Sequence, residues 1–114
     1  MNRIEKPWGY EQILEQNEHY VIKRLVVYSG KRLSKQLHGI KTETLIPING
    51  VGHIWINGKE VNVMKWNPIT VKPLTIHRIG GNICGDESAV FLEVSTPELS
   101  DVSRLEDDYG RVNR

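Results

Sequence analysis

Residues 30–50 read G-KRLSK-Q-L-H-GIKT-E-TLIPIN-G, the pattern G-x5-Q-x-H-x4-E-x6-G. Gln36 and His38 stand two apart, so on a strand both side chains point to the same face. The short turn Gly39-Ile40-Lys41-Thr42 then leads to Glu43, which begins the next strand. A hairpin of this shape aims three donor groups at one point. A fourth donor is expected from a later strand, and His77 is placed to supply it. Gln36, His38, Glu43 and His77 together offer two imidazole nitrogens, a carboxylate oxygen and an amide oxygen. Such a mixed set suits a divalent first-row metal: Zn, Mn, Fe, Co or Ni. It also leaves room for water or substrate, as a catalytic metal requires. Gln36 is the weak member, because a neutral amide is a poorer ligand than imidazole. Taken singly, each residue has a plainer reading: Gln36 and Glu43 as surface groups, His38 as a turn residue. The joint spacing, which also includes Gly30 and Gly50, favours the cluster.

Outward from this stretch the chain reads as many short strands. Residues 20–28 (YVIKRLVVY) are rich in β-branched and aromatic side chains. Strands follow at 45–48, 52–56, 59–64, 69–71, 76–79 and 89–95, with Asn57-Gly58 as a two-residue hairpin turn. Turn signals every eight to twelve residues argue for a sandwich or barrel. No segment has a convincing helical period; at most a short helical turn is expected near 97–102. The charged tail, 104–114, needs docking to be ordered.

At 114 residues the chain suits one domain over 1–114, with a single core. A net charge of +1 gives no broad basic surface for nucleic acid. The opening MNRIEKPWGYEQ is too polar for a signal peptide, and no apolar run is long enough to span a membrane. One cysteine, Cys84, excludes an intrachain disulfide and fits a cytoplasmic location. Its Gly-rich loop suggests a partly buried thiol rather than a nucleophile. His19 is expected in solvent, and His53 is assigned no role.

The 30–50 spacing resembles the first sequence motif of the cupins, small metal-holding barrels, with Gln36 where a first His usually stands. The resemblance then becomes more specific. Lys6-Pro7-Trp8-Gly9-Tyr10, Val21-Ile22-Lys23-Arg24-Leu25, Leu33-Ser34-Lys35-Gln36 and His77-Arg78 are similar to the C-terminal domain of type II phosphomannose isomerases. These are bifunctional enzymes that also carry mannose-1-phosphate guanylyltransferase activity. Glu93-Val94 and the ending Arg104-Leu105-Glu106-Asp107-Asp108-Tyr109-Gly110-Arg111 extend the match over nearly the whole chain. The family also has Gln at position 36. Its turn, H-H-H-R-x-E-H-W, departs here: Gly39, Ile40 and Thr44 replace three histidines, and Lys41 replaces Arg, losing the bidentate fork. The approach to His77 is one residue shorter than the family's. No nucleotidyltransferase domain is recognisable.

The resemblance implies an all-β cupin barrel, a double-stranded β-helix or jelly roll, and a homodimer. It implies interconversion of mannose 6-phosphate and fructose 6-phosphate through a cis-enediol. Glu43 and Lys41 are the catalytic candidates, with Glu93 a further one for the base. Lys41, Arg78 and Arg24 are the candidates for holding the phosphate, although strand alternation turns Arg78 away from a pocket entered by His77. Tyr109 is expected to dock structurally. The alternative is a non-catalytic cupin that binds a sugar phosphate or nucleotide sugar, which the lost turn histidines favour. An oxygenase-like cupin has only the generic metal set behind it.

Overall fold

A β-bridge ladder begins almost at the N-terminus in the computed structural model, which describes residues 2–112. Strands β1 (Arg3–Lys6), β2 (Gly9–Gln16) and β3 (Val21–Val27) form an antiparallel meander. They are followed by β4 (Lys35–Leu37), β5 (Glu43–Asn49), β6 (His53–Ile56) and β7 (Lys59–Val61). β8 (Ile69–Val71), β9 (His77–Gly80), β10 (Ala89–Ser95) and β11 (Ser103–Glu106) complete the chain. Two antiparallel sheets result, ordered β1-β2-β3-β10-β5-β8 and β11-β4-β9-β6-β7. The turn spacing called for a sandwich or barrel, and the two sheets form the jelly roll that the family resemblance implied.

Alternation along each strand sends one set of side chains inward. On β5 the buried residues are Glu43, Leu45 and Pro47; on β10, Phe91, Glu93 and Ser95 are buried while Leu92 and Val94 between them are only half-buried. Phe91, Leu25, Leu45, Ile54 and Ile79 are fully buried and make one core with Trp8, Val27 and Val71. The core fills one part of the space between the sheets, and the charged inward residues gather in the rest.

Two glycines are dictated by geometry. Asn57 and Gly58 have φ of 51° and 80°, as the tight β6–β7 turn requires, so the expected hairpin is present. Gly9 has φ 154°, and a Cβ there would lie 1.9 Å from the carbonyl oxygen of Val26. The bend that follows Trp8 therefore admits no side chain.

Three expectations need correction. The stretch from Gln36 to Glu43 is not a hairpin: β4 belongs to the five-stranded sheet and β5 to the six-stranded one, so the turn crosses between layers. Residues 97–102 form bends and turns, with no helix there, because their backbone bonds are isolated contacts such as Leu99 N–H to Pro97 O. Cys84 is exposed rather than partly buried. The tail docks as β11 along β4, with Tyr109 against the core. Its last residues, Asn113 and Arg114, lie outside the described residues. Among the described residues, no helix is long and apolar enough to cross a membrane.

Candidate metal centre

His38, just after β4, and Glu43, at the start of β5, reach the space between the sheets from opposite layers. His77, the first residue of β9, joins them from the five-stranded sheet. Their donor atoms all lie within 4.8 Å of one another, and all three side chains are buried. Glu43 Oε1 is 3.2 Å from His38 Nε2 and 2.7 Å from His77 Nε2. The imidazole rings are tilted at 49°, with centroids 5.0 Å apart.

The far side of each ring fixes its tautomer. His38 Nδ1 meets the Asp101 carbonyl oxygen at 2.5 Å, and His77 Nδ1 meets the Thr75 carbonyl at 2.9 Å. A carbonyl only accepts, so both Nδ1 atoms carry the proton. In the neutral ring, each Nε2 then presents a lone pair to the same carboxylate oxygen. His77 Nε2 is buried without an aligned hydrogen bond, despite its closeness to Glu43. Three acceptors converging on one buried point is the arrangement a cation resolves, and carbonyl-anchored imidazoles are how proteins orient metal ligands. The residues present therefore fit a divalent ion.

Gln36 lies directly opposite His77 across β4 and β9, so both side chains leave the same face. Its Oε1 accepts from Ser34 Oγ at 3.2 Å, and it lines the cavity together with His38. It stands where a further, weaker donor is wanted.

Asp101, which sequence reasoning passed over, holds the turn. Its carboxylate accepts from the backbone N–H groups of Gly39, Ile40 and Lys41, at 2.9, 2.7 and 2.9 Å. Those bonds hold its carboxyl below the usual range. One residue thus fixes the turn through its side chain and His38 through its carbonyl. No local motif announces it, because the partners lie some sixty positions away.

Lys41 is buried, with Nζ 3.8 Å from Glu43 and 3.7 Å from Glu93. Burial pushes the Glu43 carboxyl up; against it, His38 and His77 when they also carry a proton on Nε2, and then Glu93 and Lys41, hold it well below the usual range. Glu93, on β10, is pushed up to about 8, first by burial and next by the Glu43 charge, against the pull of Lys41. Two buried carboxyls side by side are thus driven apart.

A cavity of about 280 Å³, near the small end of ligand sites, lies beside this cluster and meets it at His38. Gln36, His38, Lys41 and Glu93 form its inner wall. Of the expected phosphate contacts, only Lys41 is here. Arg24 lies on the opposite face of β3 from the cavity residues Lys23 and Leu25, and donates to Gln12 Oε1. Arg78 is buried but turned away from this cavity, as alternation predicts. It donates to the Leu33 carbonyl and to Asp108, clamping the tail. His19 is exposed, and His53 pairs with Glu60 away from the cluster.

Comparison with known proteins agrees with this geometry. The sequence matches the family described as mannose-6-phosphate isomerase C-terminal over residues 1–108. It is 34% identical to the mannose-1-phosphate guanylyltransferase ManC of Salmonella typhimurium, over 96% of this chain and 23% of that protein. It is 29% identical to the xanthan biosynthesis protein XanB of Xanthomonas campestris pv. campestris, over 96% of this chain and 24% of that one. The chain thus spans about a quarter of the length of these relatives. Among solved structures, KdgF from Halomonas sp. superposes with a TM-score of 0.76 at 9% identity, covering 85% of this chain and 86% of that one. A Klebsiella pneumoniae protein described as having a double-stranded β-helix domain superposes with a TM-score of 0.71 at 17% identity, covering 85% and 84%. Both likenesses concern the fold. With the family match covering nearly all of its length, the chain belongs to the mannose-6-phosphate isomerase C-terminal family.

Proposed function

We propose that this chain is a metal-dependent sugar-phosphate isomerase that interconverts mannose 6-phosphate and fructose 6-phosphate. The observation that carries the reading is the convergence of His38 Nε2, His77 Nε2 and Glu43 Oε1 on one buried point beside a polar cavity, in a member of this family. Gln36 completes the ligand set from the same wall. A bound divalent ion supplies Lewis acidity, which polarises the sugar's carbonyl and hydroxyl oxygens.

Isomerisation moves a proton between C2 and C1 and therefore needs a group that gives and takes one. Glu93 fills that role, because it lines the cavity, whereas Glu43 is engaged by two imidazoles. Lys41, held 3.7 Å from Glu93, places a positive charge where enediolate charge develops. Packing between two carboxylates keeps both groups from swinging away.

The test is direct. Purified chain, loaded in turn with Zn, Mn, Fe, Co and Ni, is supplied with mannose 6-phosphate, and fructose 6-phosphate is measured. Turnover with at least one metal, abolished in Glu43→Gln and Glu93→Gln, is expected. A protein that binds metal and sugar phosphate but turns over with none of the five is instead a binding module. The replacement of the family's turn histidines by Gly39, Ile40 and Thr44 is the observation behind that second reading.

A further inference from the structure

A guanidinium without a partner faces the cavity from its outer wall. Arg104 lines the cavity from β11, and among the described residues its side chain makes no hydrogen bond or ion pair. Its position is set by pairing. Arg104 lies directly opposite Gln36, and Gln36 lies directly opposite His77, so the three form a row across β11, β4 and β9 on one face. Two inter-strand spacings place Arg104 about 10 Å from His77 at the backbone, a separation comparable to an extended six-carbon chain carrying a terminal phosphate.

The free state of Arg104 is built in by a β-bulge. The register shifts between Arg104 and Glu106, so that Glu106 rather than Leu105 pairs with Lys35. Regular alternation would put Glu106 on the same face as Arg104, one step along the strand. The bulge turns it to the other face, where it meets Lys35 at 4.0 Å and Arg78 at 3.7 Å. The one carboxylate on β11 is thereby kept out of the cavity.

The rest of the wall adds to the charge. Lys6 and Lys23 share a single carboxylate, Glu11, at 3.7 and 3.4 Å. Arg111 is matched by Asp107, and Lys41 by Glu43 and Glu93. Counting every carboxylate as ionised, these cations and Arg104 still leave an excess of positive charge.

We propose that Arg104, flanked by Lys6 and Lys23, forms an anion subsite that takes the phosphate monoester of the substrate, with Gln36 lying between it and the metal cluster. Bidentate binding to a guanidinium suits phosphate oxygens better than a lysine point charge. The proposal rests on the sugar-phosphate reading of the cavity, but its test does not need turnover.

Binding of inorganic phosphate, mannose 6-phosphate and mannose to the full chain is measured by calorimetry at low salt. Wild type is expected to bind both phosphates and to bind mannose far more weakly. Arg104→Ala is expected to weaken both phosphates by about tenfold or more, as loss of a charge-assisted contact does, and to leave mannose unaffected. Arg104→Lys should fall between. Lys59→Ala, which removes one charge at the opposite edge of the same sheet, should change nothing. An unchanged melting temperature shows that each variant is folded. Phosphate affinity equal in wild type and Arg104→Ala, or equally reduced in Lys59→Ala, overturns the subsite. Phosphate binding that depends on Arg104 in a chain without isomerase activity upholds the subsite while removing the isomerase reading.

Discussion

Glu43 Oε1 stands between two imidazole nitrogens at 2.7 and 3.2 Å, and each imidazole is tethered through its other nitrogen to a backbone carbonyl. Removing one member removes the convergence. His77→Ala is expected to lose bound metal, measured by elemental analysis, and to bring the metal-loaded melting temperature down to that of the metal-free protein. The reason is mass action: a ligand that binds only the folded state stabilises it. Gln36→His should tighten metal binding, since imidazole replaces an amide oxygen; equal metal content and affinity in both variants and wild type would remove these residues from the site. Asp101 acts one step further out. Asp101→Ala deletes three bonds to the turn between His38 and Glu43, and metal affinity should fall by about tenfold to a hundredfold, as outer partners of metal ligands commonly contribute. An unchanged affinity in a competition titration would show that the turn holds itself. The convergence of His38 and Glu43 was legible in the sequence because their spacing is local, whereas His77 was expected only from a later strand and is brought in by the pairing of β9 with β4. Asp101 and Arg104 were not legible, because their roles come from pairing with residues far away in the chain.

Elements differ in how they are held. The β1–β2 turn leaves no room at Gly9, where an added Cβ would meet the Val26 carbonyl oxygen at 1.9 Å. Gly9→Ala should destabilise the fold by roughly 3 kcal/mol or more, at the high end for a single substitution, measured by urea unfolding. The C-terminal segment after β11 depends on charge. Asp108 bonds Arg32 and Arg78, and Asp107 bonds Arg111. For Asp108 the bond to Arg32 comes first, and for Asp107 the bond to Arg111; each carboxyl lies below its usual value. A depressed carboxyl stabilises the folded form above its unfolded pKa and loses that effect as pH falls through the folded one. Hydrogen-exchange protection over residues 103–112, referenced to the intrinsic rate at each pH, should therefore fall below about pH 4, before that of the β10 amides. Simultaneous exchange in both would mean that the tail is held by packing alone. The Asn57-Gly58 hairpin and the strands 69–71 and 89–95 were readable because turn chemistry and alternation are local signals. β1 and β2 were less so, since Pro7-Trp8-Gly9 interrupts them, and β11 is charged and becomes a strand through its pairing with β4. The crossing between β4 and β5 reads as a hairpin in sequence, because a short turn does not reveal which sheet the next strand joins.

At the scale of the molecule, two sheets divide their interior between an apolar core and a polar cavity. Phe91, Leu45 and Ile54 fill the first, while Gln36, Glu93, His38 and Lys41 edge the second. The strand that supplies Phe91 to the core also supplies Glu93 to the cavity, so stability and site share their supports. Burying these ionisable groups is costly, and a bound cation offsets part of that cost. Metal should accordingly raise the melting temperature of the whole chain, and a chelator should reverse it. The claim on which the rest depends is that a divalent ion sits among His38, His77 and Glu43. Its most direct test is a crystal structure of the zinc-loaded chain with anomalous data collected at the metal's absorption edge. The expected result is one strong peak roughly 2.0–2.2 Å from His38 Nε2, His77 Nε2 and a Glu43 oxygen. No peak among these three atoms in protein prepared with excess zinc, or a peak only elsewhere, would contradict it.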